Sequence, residues 1–420
     1  MLRKLIKGFV AVLVISIAAF VSYTYLSVDG RVKVDKRQIP FTNSSVVVRL
    51  DSLILSPDSI KGYVTSLIKK GNVQGLAVSI INNNKLVFQD YFGSRNVQKN
   101  ELFHPGVIWY GASLSKPVFA DIVLQLTEDK LLNLDTPLYR YLKKPLPEYH
   151  ISLFEHLLRS QKLDYEDLKM DDRYKKITAR MCLSHTTGLP NWRWLEPDGK
   201  LKIKFEPGSR YAYSGEGMFL LQFVIEKLLS KDLEEIATER EFLPYGMTTS
   251  SFVWQRAYEG NYAVGHDASS NNLRIPKSNT SRGPGSLSTT LEEYTIFFQR
   301  ILKQDLPRYK DLITPQIRIF SRQQFGPNAD VTTTKNDSIN LSYGLGFGLY
   351  DSQYGRAFFK EGHLDGWQHY SVGFPEHGFG LVLMSNSNQA EGIFKELIEF
   401  LTGNKSTPWY WEGYIPYDQN

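Results

Sequence analysis

The sequence predicts an α+β fold: an antiparallel sheet formed from both ends of the chain, flanked by helices, with a mainly helical inserted subdomain. Three observations predict it. GLAVSIINNNKLVFQDYFG, residues 75–93, reads as an apolar strand, an Asn-rich turn and a second strand. From about residue 118 to 310 the apolar period becomes helical, as in DIVLQLTEDKLLNLD and GMFLLQFVIEKLLSKDLEEIA. Strand-like runs with Gly and Pro turns then return in YGLGFGLYD, YSVGFPEHG and GLVLMSNS, and GIFKELIEFLTG closes the series with a helix.

Ahead of that domain, Arg3, Lys4 and Lys7 precede an uncharged run from Gly8 to Val28. Its length is close to the ~20 apolar residues that span a bilayer. Residues 1–28 therefore read as an N-terminal membrane anchor, with a cleaved signal segment as the alternative, and either one exports the rest of the chain. Residues 29–56 are polar and turn-rich and read as a linker; residues 57–404 form the domain and 405–420 an aromatic C-terminal tail.

With 42% hydrophobic and 22% charged residues, the chain has ample material for a core. The net charge of +5 is a small imbalance between 49 basic and 44 acidic residues, and no Lys/Arg block occurs, so nucleic acid is not an expected partner. Cys182 is the single cysteine, which excludes an internal disulfide framework and a Cys-rich metal site. His266 with Asp267, and His369 with Asp365, lack the tight spacing of a zinc site, so no metal is expected.

The chain contains two S-x-x-K sequences. In SPDSIKGYVTSLIKKGN, the helical recurrence of Ile60, Val64 and Leu67 leaves Ser66 and Lys69 on a solvated face. In YGASLSKPVFA, Ser113 and Lys116 instead open an apolar helix. A serine hydroxyl needs an adjacent base to act as a nucleophile, and residues three apart at a helix start share a face. Burial or a nearby positive charge lowers a lysine pKa toward that role. The helix start also offers free backbone N–H groups to an oxyanion. Pro117 is tolerated only if Lys116 lies in the first turn.

An ordered set of segments surrounds this pair. After the opening hairpin and YGASLSKPVFA come LTEDKLLNLDTPLYRYL, ITARMCLSHTTGLPN, FEPGSRYAYSGEGMFLLQFVIEKL, FLPYGMTTSSF, GPGSLSTTLEEY and YGLGFGLY. Over roughly residues 57 to 404 the series resembles the serine β-lactamase and penicillin-binding-protein superfamily. The branch it resembles holds class C β-lactamases, D-Ala-D-Ala carboxypeptidases and related esterases. The resemblance implies a β-lactamase/transpeptidase-like fold, Ser113 as the acylated nucleophile, Lys116 as its partner, and Tyr213 as a proton-moving phenol with its pKa lowered by the Lys116 charge. It sets Gly215 where the family has the Asn of Tyr-x-Asn, and His363 at the first position of its Lys-Thr-Gly or His-x-Gly strand. Asp365 then replaces the glycine, unless Gly366 serves in a shifted register. The backbone N–H groups of Ser113 and Gly366 become the expected oxyanion donors.

The implied activity is that of an exported serine hydrolase acting through an acyl-enzyme on an ester or amide, without a cofactor. Its substrate would be a small molecule or a peptide. Esters or small amides rank first, cell-wall D-amino-acid peptides second and β-lactams last, because Gly215 and Asp365 depart from the pattern at substrate-facing positions. A non-catalytic penicillin-binding-like sensor or binding domain is the alternative. His185 reads as structural, while Trp192, Trp194 and Trp367 fit a cleft mouth or a packed core equally well.

Overall fold

The computed structural model describes residue 43, residues 46–149 and residues 164–419. The expected anchor or signal segment and most of the linker lie outside these residues. Among the described residues, no helix is long and apolar enough to cross a membrane.

The main sheet has nine strands: β1 (Gly75–Asn82), β2 (Lys85–Asn96), β3 (Glu101–Leu102), β4 (Ile317–Arg318), β5 (Ser342–Tyr343), β6 (Gly348–Ser352), β7 (Gly355–Leu364), β8 (Trp367–Phe374) and β9 (Phe379–Ser385). Their spatial order is β3-β2-β1-β9-β8-β7-β6-β5-β4, with neighbours antiparallel. The two ends of the chain meet where β1 pairs with β9, from Leu76 opposite Ser385 to Ile81 opposite Gly380. The α+β architecture with a sheet drawn from both ends is therefore the observed one.

Alternation within the strands divides the interior into two cores, because successive strand side chains point to opposite faces. Leu76, Val78 and Ile80 of β1 join Leu381 and Leu383 of β9 in one core. Helices α1 (Pro57–Lys70) and α5 (Glu391–Thr402) cover it with Ile60, Val64, Leu67, Ile393, Leu397 and Leu401. Ala77, Ile81, Val382 and Met384 face the other core, beneath α2 (Ser115–Glu128), α3 (Gly215–Leu229) and α4 (Leu291–Lys303). Each large apolar side chain so buried contributes roughly 1.5–3 kcal/mol. α1 begins where the Ser56 side chain accepts from the Ser59 N–H, with Pro57 in the first turn, and ends at Gly71. Ser66 and Lys69 are exposed on its outer face.

The middle of the chain is less helical than its periodicity predicts. Residues 251–287 are largely loops, and Ser288–Thr289 forms a two-residue strand against Trp109–Tyr110. The Ser, Asn, Gly and Pro side chains of that stretch favour turns over a helical backbone. Both flanks of the domain also pack more closely than expected. Val47–Val48 pairs with Ile54–Leu55, and Val47 and Leu55 are buried. At the other end the aromatic tail is folded back on the domain. Trp409 and Trp411 are buried in the α1/α5 core, and the Trp411 indole N–H donates to Ser321 Oγ at 3.0 Å.

At the start of α3 a buried ion pair fixes the preceding loop. Arg193 Nη2 lies 2.7 Å from Glu216 Oε2, and Arg193 Nε donates to Oε1 at 3.0 Å, with side chains 5% and 2% exposed. Removing one partner strands the other charge away from water. Glu216→Ala is expected to lower the unfolding free energy by about 3–5 kcal/mol, read from a urea denaturation curve.

Candidate active site

Ser113 sits in a tight turn between the short strand Trp109–Tyr110 and α2. Ala112 adopts φ 45°, a left-handed conformation that non-glycine residues seldom take. Two hydrogen bonds brace this strained turn: Ser115 Oγ donates to the Ala112 carbonyl at 2.6 Å and accepts from the Leu287 N–H at 2.9 Å. His369 holds the strand before it, with Nδ1 accepting from the Ser385 N–H at 3.2 Å and Nε2–H donating to the Tyr110 carbonyl at 2.8 Å. Burial lowers the His369 pKa to about 4, so it stays neutral and keeps that tautomer.

Lys116 is fully buried one turn along. Its Nζ lies 2.9 Å from Ser113 Oγ and donates to the Pro284 carbonyl at 2.7 Å. Pro117 falls in the first turn of α2, where a missing N–H costs no intrahelical bond. Tyr213 approaches from the other side, its hydroxyl 3.0 Å from Ser113 Oγ. It immediately precedes α3, whose cap Ser214 accepts from the Gly217 N–H at 2.9 Å. His185 is buried behind Tyr213, with the two rings 4.3 Å apart, and accepts the Ser214 N–H on Nδ1 at 3.1 Å. It holds the tyrosine in position and does not face the cleft.

The charges around this trio pull in opposite directions. Burial, and then the Lys360 charge, hold Lys116 well below the ordinary lysine value. Burial, and then Glu361, push the Tyr213 phenol well above its ordinary value. The expectation that a Lys116 charge lowers the Tyr213 pKa is therefore corrected. A lysine driven toward the neutral state offers no such charge, and the phenol keeps its proton.

β7 brings further groups to this point, and they are not the ones read from the sequence. Lys360 is fully buried, with its Nζ 5.3 Å from the centre of the Tyr213 ring. It also lies 2.7 Å from Glu361 Oε1, which accepts a second bond from Gln324 Nε2 at 2.7 Å. Gly362 lets the strand lie against the Ser113 turn: a Cβ there would stand 3.0 Å from the Gly111 carbonyl oxygen. Lys360-Glu361-Gly362 is thus the Lys-x-Gly strand segment beside Ser113. Its signal was a lysine two residues before a glycine, disguised by a glutamate where the resembled pattern carries threonine.

His363 lies at the cleft mouth, its side chain 37% exposed and its Nε2 3.7 Å from Glu391 Oε2. Asp365 is exposed in the β7–β8 turn and lines no part of the cleft. Gly366 adopts φ 87° in the same turn, and its N–H donates to Asn388 Oδ1 at 2.5 Å. That N–H is spent, which corrects its expected role as an oxyanion donor. At Gly215 a Cβ would stand 2.3 Å from the Trp192 ring, so the indole occupies the space an asparagine side chain would need. Trp192 and Trp194 stack 4.8 Å apart on the cleft wall, whereas Trp367 is a core residue donating to the Ala263 carbonyl. The cleft itself is a cavity of about 240 Å³ that also touches Arg282, Phe325 and Leu364. His266 is buried, with Nε2 accepting from the Val97 N–H at 3.1 Å. Among the described residues, no group of three or more His, Cys, Asp or Glu could hold a metal ion.

Known proteins share this fold over most of the chain. The octameric penicillin-binding protein homologue from Pyrococcus abyssi shares the fold with a TM-score of 0.64 at 18% identity, over 84% of this chain and 78% of that one. The β-lactamase/D-alanine carboxypeptidase from Yersinia pestis, complexed with citrate, gives a TM-score of 0.59 at 18% identity, over 80% and 95%. Protein flp of Staphylococcus aureus is 20% identical over 350 residues, which are 79% of this chain. The chain spans 64% of the length of that curated relative. The family described as Beta-lactamase matches residues 60–401, and on a match of that extent the chain belongs to it.

Proposed function

We propose that the protein is a serine hydrolase that forms an acyl-enzyme on Ser113, with Lys116 as the base and Tyr213 as a proton relay. Membership of the Beta-lactamase family supports serine hydrolase chemistry in general. One observation carries the specific reading: Lys116 Nζ and the Tyr213 hydroxyl both lie within 3.0 Å of Ser113 Oγ. Neutral Lys116 takes the Ser113 proton as Oγ attacks a carbonyl carbon. The oxyanion is received by the Ser113 N–H, in the first helical turn, and by the edge of β7. β6 pairs with β7 only as far as Phe359, so among the described residues the edge beyond it carries no strand partner. Tyr213, protonated at rest, passes its proton to the leaving group and regains one from the Lys116 ammonium; water then attacks the acyl carbonyl, giving its proton to Lys116, and Ser113 takes that proton back as the acid leaves.

The pairing of Lys360 with Glu361 bears on the substrate. An ammonium beside the nucleophile would attract a substrate carboxylate, but Glu361 lies 2.7 Å away and neutralises it. This favours esters or small amides over D-amino-acid peptides with a free carboxylate, and over β-lactams. We also propose that the domain is exported behind an N-terminal anchor or signal segment, a reading supported by the basic start and the apolar run of residues 8–28.

A fluorophosphonate probe is expected to label the protein, and Ser113→Ala is expected to abolish labelling. Labelling that survives this substitution would sink the acyl-enzyme reading. Lys116→Ala should slow labelling about 10²–10⁴-fold, the range for loss of a general base.

The pH profile supplies a separate check. The Lys360 charge lowers the Lys116 pKa, whereas Glu361 raises it. Lys360→Met removes the first influence and leaves the second unopposed, so Lys116 needs a higher pH to lose its proton. The acid limb of kcat/KM for a neutral ester should move to higher pH; a limb that stays in place rules out Lys116 as the titrating base.

A further inference from the structure

The walls of the catalytic cleft differ in what they have left to offer a substrate. Most of the polar groups are already committed inside the protein. The Tyr110 hydroxyl donates to the Gly285 carbonyl, and Asn191 Oδ1 accepts from the Gly215 N–H at 3.2 Å. Glu361 Oε1 accepts from both Lys360 and Gln324, and His363 Nε2 stands 3.7 Å from Glu391. The Ser113 and Tyr213 hydroxyls face each other for the chemistry itself. Among the described residues, Arg282 is the remaining charged group on the wall.

The apolar walls, in contrast, have open faces. Trp192 and Trp194 stack 4.8 Å apart with their planes 10° from parallel, and Phe219 backs Trp192 at 5.3 Å. Trp194, Phe325 and Leu364 border the same cleft and are 59%, 42% and 38% exposed. Large apolar side chains left in water around the mouth of a cleft mark a binding surface. Gly215 makes this wall possible, because without a Cβ it lets the Trp192 ring close the space beside it.

We propose that the Trp192–Trp194 wall is a subsite for an uncharged apolar group of the substrate, aliphatic or aromatic, so that the enzyme selects hydrophobic esters. The inference rests on the hydrolase reading above and adds the substrate class to it. Binding releases water from the rings, and the gain grows with each carbon atom the wall covers. A peptide amide laid against the indoles would instead give up its hydrogen bonds to water without finding a partner there.

The experiment compares two series of neutral esters, p-nitrophenyl esters of straight-chain acids and acetate esters of straight-chain alcohols, each lengthened stepwise and ended also by a phenyl group. In at least one series kcat/KM should rise about fourfold for each methylene added until the cleft is full, the factor for burying one methylene. The phenyl-ended members tell a ring from a chain as the preferred occupant. The rise should flatten in Trp194→Ala, whose exposed ring can be removed without opening the core, and in Trp192→Ala. Equal turnover along both series in the wild-type protein would overturn the subsite and leave the hydrolase standing. A rise that survives both variants overturns it too. Faster turnover of carboxylate-ended than of methyl-ended esters of equal length would assign the cleft to Arg282 and likewise overturn the proposal. Absence of both turnover and fluorophosphonate labelling would instead remove the hydrolase reading on which it rests.

Discussion

The site depends on keeping one lysine out of water. An ammonium loses far more hydration free energy on burial than its neutral amine does, so full burial drives Lys116 toward the form that can accept a proton. Lys360, itself buried, adds repulsion in the same direction. Much else in the fold follows from this need. Gly362 lets β7 close over the Ser113 turn, Ser115 braces that turn, and the Pro284 carbonyl accepts a hydrogen bond from Lys116 without opening the site to solvent.

That closure joins distant parts of the chain. Ser113 comes from the turn before α2, Lys116 from the start of α2, Tyr213 from the approach to α3, and Lys360 from a strand near the end of the chain. The antiparallel pairing of β1 with β9 carries the late strands back against the early ones. The neutral His369 then ties β8 to Tyr110, so the Ser113 turn is fastened to the sheet rather than left to the flexibility of a loop. Precision at Ser113 is a property of the sheet register as much as of the helix that follows it.

Local pattern carried the readable part of this protein in its sequence. The β1–β2 hairpin, α1 and the helical start at Ser113 are set by alternation, caps and periodicity within a few residues. The exposed faces of Ser66 and Lys69 followed from the same spacing. Contacts across the sheet were less legible. His363 looked like the residue beside the nucleophile, but a β-strand position gains meaning only from what lies opposite it, and Lys360 is the residue that reaches Tyr213. In residues 251–287, periodicity misled because turn-forming side chains outweighed the expected helical continuity.

The contact between Gly215 and Trp192 has an evolutionary consequence. An asparagine at 215 would put its Cβ about where the indole now stands, 2.3 Å away in the present geometry. Position 192 can become smaller on its own, whereas a larger residue at 215 needs the indole to move aside or to be replaced. Substitution order is thereby constrained. A side chain reaching the cleft from 215 therefore requires the indole to be displaced or replaced, and the order of the two changes decides whether the wall is vacant or overfilled in between.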